Sequence, residues 1–299
     1  MRILITGASG LVGSALSSAL GEDGHSVGRF VRPGPPAGKG DVAWNPATGE
    51  MDMSAAEGAD AVVNLAGASI GGCRWTEERK TLLRTSRVNL TERLVRNFEQ
   101  LRRRPAVLVS ASAIGYYGDR GDEALVETSA PGKDFLPQLS SEWEAAAMGA
   151  EKLGIRTVIT RFGIVLAKNG GALPRMLTPF KMGVGGKLGS GKQWMSWVAL
   201  DDVVGAIREA IMRPSFRGPV NVVAPNPVRN ADFTRVLARV LHRPALFPAP
   251  AFVLRLMLGE MADALLLSSQ RVVPQKLLDD KFPFKFAELE TALRHALEA

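Results

Sequence analysis

Arg2-Ile3-Leu4-Ile5-Thr6-Gly7-Ala8-Ser9-Gly10-Leu11-Val12-Gly13 sets a strand, a glycine turn and a helix start in contiguous residues. An apolar run of strand length passes directly into glycines at 7, 10 and 13, and helical periodicity follows over Leu11–Leu20. One glycine permits the sharp turn, one lets backbone approach a pyrophosphate, and one lets the helix close onto the strand. The helix N-terminus then offers free N–H groups to an anion. On this reading Gly7, Ser9, Gly10, Leu11, Val12 and Gly13 form a dinucleotide-binding turn. The apolar start enters the turn with no cleavage site, so it reads as a buried strand and not as a signal peptide.

Outward from that turn, strand-like and helix-like segments alternate, the pattern of a parallel sheet covered on both faces. Further strands are expected at Ser26–Val31, Ala61–Leu65, Ala106–Ser110 and Arg156–Thr160, with a weak one at Val42–Trp44. Helices are expected across Glu77–Arg103 and at Leu139–Lys152, and Pro33-Gly34-Pro35-Pro36 reads as a loop. After about Gly170 the composition changes. A short strand at Val220–Val223 precedes helices at Asn230–Leu241, Phe252–Leu267 and Glu288–Leu297. The expected architecture is an α/β, doubly wound parallel Rossmann-type sheet with a smaller, mostly helical C-terminal lobe. Residues 1–170, with returning elements from 196–224, would form the dinucleotide domain, and 171–299 the substrate lobe.

Composition narrows the function. The 299 residues are 46% hydrophobic and 22% charged, which excludes wholesale disorder. A net charge of +7 can assist anionic ligands, but it is dispersed and only 6% of residues are aromatic, so no nucleic-acid surface is expected. Arg102-Arg103-Arg104 reads as a basic helix end, where cations favour the dipole. One cysteine, Cys73, cannot form an intramolecular disulfide or a cysteine-rich zinc site, and His25, His242 and His295 are scattered, so no metal is expected. The most apolar late segment, Leu254–Leu267, carries Arg255, Glu260 and Asp263, so no membrane span is expected and a cytoplasmic location is the default.

The end of the second strand bears on the cofactor. An NAD site would offer a carboxylate there for the ribose 2′-hydroxyl. Arg29-Phe30-Val31-Arg32 offers none, and the Arg32 guanidinium suits a 2′-phosphate, which predicts NADP(H). Gly186-Lys187-Leu188-Gly189-Ser190-Gly191-Lys192-Gln193 nearly spells an ATP-binding loop. Gln193 stands where Ser or Thr must hold magnesium, and no strand precedes it, so ATP is not expected.

Thr6–Gly13, Asn64-Leu65-Ala66-Gly67 and the strand-end serine before Tyr116-Tyr117-Gly118 together resemble an extended short-chain dehydrogenase/reductase. Arg74-Trp75-Thr76-Glu77-Glu78-Arg79-Lys80, Ser86-Arg87, Trp143–Ala147, Gly185–Gly191 and Ala224-Pro225-Asn226-Pro227 are similar to its atypical epimerase-family, cell-division-inhibitor-like branch, which carries its own C-terminal domain. The resemblance covers essentially the whole chain. It implies an NADP(H) site in which Leu65 and Ala66 contact the adenosine and ribose side, with Gly67 beneath the cofactor. It also implies Arg87 as a further cofactor contact and backbone near Val165 at the nicotinamide carboxamide.

Catalysis departs from that pattern. The superfamily pairs a tyrosine with a lysine four residues on. Four residues after Tyr116 and Tyr117 lie Arg120 and Gly121, and the helix that should carry the pair reads Gln138-Leu139-Ser140-Ser141-Glu142-Trp143-Glu144. Ser112 stands where the orienting serine belongs, and Tyr116 is near enough in sequence to reach the same cleft. The expectation is that Ser112 polarises a carbonyl and Tyr116 donates the proton. Glu142 and Glu144 read as substitutes for the missing acid or base or, more ordinarily, as solvated helix carboxylates, and Trp194, Trp197 and Pro174–Phe180 as a hydrophobic rim or, equally, as interface or core. The function expected is an NADP(H)-binding oxidoreductase or epimerase-like enzyme acting on a small molecule, with a homo-oligomer compatible. A cofactor-binding regulatory protein without turnover is the rival.

Overall fold

Ile3, Leu4 and Ile5 are all buried, so the first strand has both faces covered, the condition of a parallel sheet between helices. A computed structural model of the chain describes residues 1–34 and 38–298; Pro35 and Pro36 of the expected loop lie outside the described residues. One seven-stranded sheet contains β1 (Arg2–Thr6), β2 (Ser26–Val31), β3 (Val42–Ala43), β4 (Ala61–Asn64), β5 (Val107–Ala113), β6 (Arg156–Phe162) and β7 (Gly218–Val222). The order across it is β7-β6-β5-β4-β1-β2-β3, and every neighbouring pair is parallel. Order reverses on the two sides of β1, which opens a crevice at the carboxyl ends of β1 and β4.

Alternation along each strand divides the core. Ile3, Ile5, Val63, Val109 and Val158 face one way, against the helices Leu11–Glu22 and Leu200–Met212. Leu4, Val62, Leu108 and Ile159 face the other, against Leu94 and Phe98 of the helix Leu90–Glu99. A period of two therefore buries both sets, and each such side chain contributes about 1.5–3 kcal/mol.

Several expected boundaries move. The helix expected over 77–103 is Glu77–Arg84, a π-helical turn Thr85–Asn89, and Leu90–Glu99. The Leu139–Lys152 helix begins earlier, spanning Phe135–Met148, because Pro137 falls in its first turn, where a missing N–H breaks no helical bond. Gly259, with φ of 62°, divides the Phe252–Leu267 segment into Ala251–Leu258, Glu260–Ala262 and a π turn Asp263–Leu267. Among the described residues no helix is long and apolar enough to cross a membrane.

Of the alternatives open for Trp197, rim, interface or core, the structure has core: it is fully buried, packed with Leu173, Leu177, Phe233, Leu237 and Leu293. The Gly185–Gly191 tract is likewise structural. Its backbone runs beside Phe247–Ala249, with Phe247 N–H donating to Gly185 O at 3.1 Å and Gly189 N–H to Ala249 O at 2.8 Å. A Cβ on Gly186 would lie 2.0 Å from the Phe247 carbonyl oxygen, so the glycine is needed for chain crossing.

Candidate functional site

The turn after β1 divides its three glycines by task. Gly7 has φ of 66°, which a side chain disfavours, and a Cβ on Gly13 would lie 2.3 Å from Gly7 O, so that glycine lets the helix close on the turn. Gly10 differs: its φ is −77°, and a Cβ would meet only Gly7 O at 3.2 Å. Space above Gly10 is open to the cleft. Ser14 N–H makes the first helical bond, to Gly10 O at 2.8 Å, and Gly10 has no side chain to cap the amides of Leu11 and Val12.

That turn forms one end of a cleft of about 530 Å³ lined by Gly7, Gly10–Gly13, Leu65, Gly67, Arg87 and Ser112 among others. Thr6 fixes the geometry here. Its hydroxyl donates to Asn64 Oδ1 at 2.7 Å and accepts the amides of Leu65 and Ala66, each at 3.1 Å. Asn64 Nδ2 in turn donates to Thr91 Oγ1 at 2.9 Å, as does Trp143 Nε1 at 3.1 Å.

Four of the residues expected at the cofactor are not among those lining the cleft. Ser9 is exposed and outside the cleft lining. Ala66 packs on the core, and its amide is spent on Thr6. Val165 packs on the opposite core face; Phe162, Gly163 and Ile164 line the cleft instead. Arg32 is exposed at the end of β2, also outside the lining. Its neighbour Arg29 is committed to Asp41, with Nε at 3.1 Å and Nη2 at 2.6 Å from the carboxylate oxygens. That hydrogen bond holds the Asp41 carboxyl below its ordinary value, so the pair stabilises at neutral pH and its contribution fades as acid protonates Asp41.

Arg87 sits in the π turn, a local irregularity that aims its side chain at the cleft. Its guanidinium donates to Ala68 O at 2.9 Å and stands 5.3 Å from the Trp143 ring centroid. Among the described residues no carboxylate pairs with it. Burial, reinforced by Arg79, brings its pKa down to about 10. A desolvated cation without a carboxylate partner, lining the same cleft as an uncapped helix start, suits a phosphate-bearing ligand.

Behind Ser112 lies the feature that sequence reasoning missed. Glu144 is buried: Ser112 Oγ donates to its Oε1 at 2.6 Å, and Arg161 binds both oxygens, at 2.8 and 2.7 Å. Arg161 also donates to Tyr117 Oη at 2.9 Å and to Glu127 O at 3.1 Å, and Tyr117 donates to Asn221 Oδ1 at 2.7 Å. Burial opposes the charge on Arg161, yet the Glu144 hydrogen bonds and charge outweigh it and raise its pKa. Burial also raises the Tyr117 phenol, against Arg161.

This network bears on two catalytic expectations. Tyr116 is not among the residues lining the cleft; its ring stacks on Arg161, with Cζ 3.5 Å from the centroid. Ser112 lines the cleft but gives its proton to Glu144, so it presents lone pairs to a ligand. Glu144 is no solvated carboxylate, whereas Glu142, paired with Arg84, is surface-exposed. A sequence signal for Glu144 existed. On the helix Phe135–Met148, the buried stripe runs Leu136, Leu139, Ser140, Trp143, Glu144, Ala147, so Ser140 and Glu144 occupy an otherwise apolar face.

The parallel sheet, its switch-point cleft and the glycine turn define an extended short-chain dehydrogenase/reductase. The chain belongs to the NAD-dependent epimerase/dehydratase family, whose profile matches residues 3–223, and residues 249–296 match a domain of unknown function, DUF1731. Epimerase family protein Mb2239 of Mycobacterium bovis is 42% identical over 98% of this chain and 97% of its own length. Human epimerase family protein SDR39U1 (isoform 2), crystallised with NADPH, matches with a TM-score of 0.89 and 32% identity over 100% of this chain and 99% of that one. A Corynebacterium glutamicum protein described as a nucleoside-diphosphate sugar epimerase matches with a TM-score of 0.82 and 36% identity, over 99% of this chain and 58% of that one.

Proposed function

We propose that the chain is an NADP(H)-dependent oxidoreductase of the extended short-chain type. The observation that carries this reading is the open, uncapped turn at Gly10 joined to Ser112 by one continuous cleft. The residues fit the cofactor: amides of Leu11 and Val12 and the Arg87 guanidinium supply positive potential, and Gly10 leaves room for a pyrophosphate. The NADPH-bound human relative supports the same assignment. When bound, the reduced cofactor would supply a hydride to a carbonyl carbon, whose oxygen would take its proton from solvent water. The chain's part is to bind and orient. Ser112 is held by Glu144 as an acceptor at the cleft wall, and Ser140, buried on the same wall, has a hydroxyl without a protein partner among the described residues.

The missing tyrosine–lysine pair, together with the commitment of the Ser112 proton to Glu144, favours a second reading in which the cofactor is held without turnover. A broad carbonyl panel with NADPH oxidation as readout separates the two. Gly10→Val tests what they share. The φ at Gly10 suits a side chain, whose Cβ presses only on Gly7 O at 3.2 Å while the branches fill the phosphate space, so NADPH affinity should fall at least ~100-fold, on the scale of losing two charge-assisted hydrogen bonds, while the variant stays folded. Wild-type affinity in the folded variant would remove this loop from the cofactor site.

A further inference from the structure

The wall that the cleft receives from beyond Gly170 is apolar: Met176, Leu188, Trp194, Met195, Leu265 and Leu266. Its polar groups are largely spent inside the protein. Ser196 Oγ donates to Gln270 O at 2.8 Å and accepts Val272 N–H at 2.9 Å. Asn230 Oδ1 accepts Leu188 N–H at 2.8 Å, Gln270 Nε2 donates to Gly118 O at 3.2 Å, and Trp194 Nε1 donates to Asp122 at 2.9 Å. The amides that start the Asn230–Leu241 helix are engaged too, Asn230 with Gln193 O and Ala231 with Gly191 O, each at 2.9 Å. What remains is the Ser140 hydroxyl, the Ser112 lone pairs and Gln270 Oε1; Ser268 Oγ lacks a partner but is itself buried.

Charge is as sparse as spare hydrogen bonding. Arg87 is the only ionisable side chain among the described residues lining the cleft, and its Cζ lies 3.2 Å from where a Gly67 Cβ would be, on the cofactor side. Arg229 and Arg271 pack on the Trp194 ring, at 4.4 and 4.9 Å, and are not part of the lining; Arg229 is paired with Asp122 at 2.9 Å.

We propose that this compartment takes a neutral, predominantly apolar substrate with one or two hydrogen-bonding oxygens, and not a nucleoside diphosphate sugar. The proposal rests on the NADP(H) reading for the half of the cleft it leaves to the cofactor. A sugar diphosphate would bring two phosphate charges and a ring of hydroxyls into a space whose lining holds no second cation among the described residues and few spare hydrogen-bonding groups. Each group left unpaired there loses its water without compensation. An apolar chain instead gains with every methylene buried against Leu265, Leu266 and Met176.

The test uses the full chain saturated with NADPH and calorimetric titration of a 2-alkanone series, from 2-hexanone to 2-decanone, beside UDP-glucose. Affinity for the alkanones should rise about fourfold per methylene, and UDP-glucose should give no saturable heat at millimolar concentration. Leu266→Asp should weaken alkanone binding at least ~10-fold and leave NADPH affinity unchanged; Leu265→Ser serves if that variant does not fold. Saturable UDP-glucose binding, or alkanone affinity independent of chain length, overturns the proposal. If NADPH itself fails to load, the cofactor reading falls, and the same titrations on the unloaded chain still decide the substrate class.

Discussion

Arg161→Met is expected to lose about 3–5 kcal/mol of folding stability, because it leaves the Glu144 carboxylate buried without its partner. Side-chain exposure of the pair is 2% and 9%, so water cannot replace the lost interaction. The same change strands Tyr117 Oη and the Glu127 carbonyl, which accept from the guanidinium. Urea unfolding followed by tryptophan fluorescence measures the loss. Two controls calibrate it. Glu142→Ala removes the exposed partner of Arg84 and should cost less than ~1 kcal/mol. Tyr116→Phe keeps the ring on Arg161 and should change stability by less than ~0.5 kcal/mol. A loss at Arg161 no larger than in these controls would mean that the network does not hold the Ser112 strand end in place.

Arg87→Met should move stability and binding in opposite directions. Desolvation that brings this arginine's pKa down from 12.5 to about 10 makes folding with the charge unfavourable by on the order of 3 kcal/mol at neutral pH. The sign follows from linkage: the penalty is fully present below the folded value and is relieved only as pH rises from there towards 12.5. Methionine fills the same space without the charge, so the unliganded variant should unfold at higher urea, by up to ~3 kcal/mol. NADPH and NADH affinities should both fall about 10–100-fold, because the lost contact is a charge-assisted hydrogen bond to a group they share. Equal loss of stability and binding would make Arg87 a structural residue; unchanged binding would take it out of the cofactor site.

What the sequence made legible is local. Thr6–Gly13 places a strand, a turn and a helix in contiguous residues, and this arrangement entails the parallel sheet and its switch point. The buried charge network was hidden because it is long-range. Tyr117 and Asn221 are 104 residues apart, Ser112 and Glu144 are 32, and no short window contains both ends of either bond. Glu144 on an apolar stripe was the one local clue. The π turn at Thr85–Asn89 was equally invisible, since one extra residue in a helical turn barely changes the pattern of polar and apolar positions. The sequence named Arg32 for the 2′-phosphate on its place at the strand end; the fold adds that Asp41, returned beside β2, ties up the neighbouring Arg29, while Arg32 stays exposed.

Isothermal titration of the wild-type chain and of Arg32→Ala with NADPH and with NADH decides whether the cleft is an NADP(H) site. One site per chain is expected, with NADPH bound about 10–100-fold more tightly than NADH, a preference that Arg32→Ala abolishes by weakening NADPH alone. Arg29→Ala should leave the preference intact. No saturable binding of either cofactor, or a wild type that holds NADH as tightly as NADPH, would contradict the NADP(H) reading.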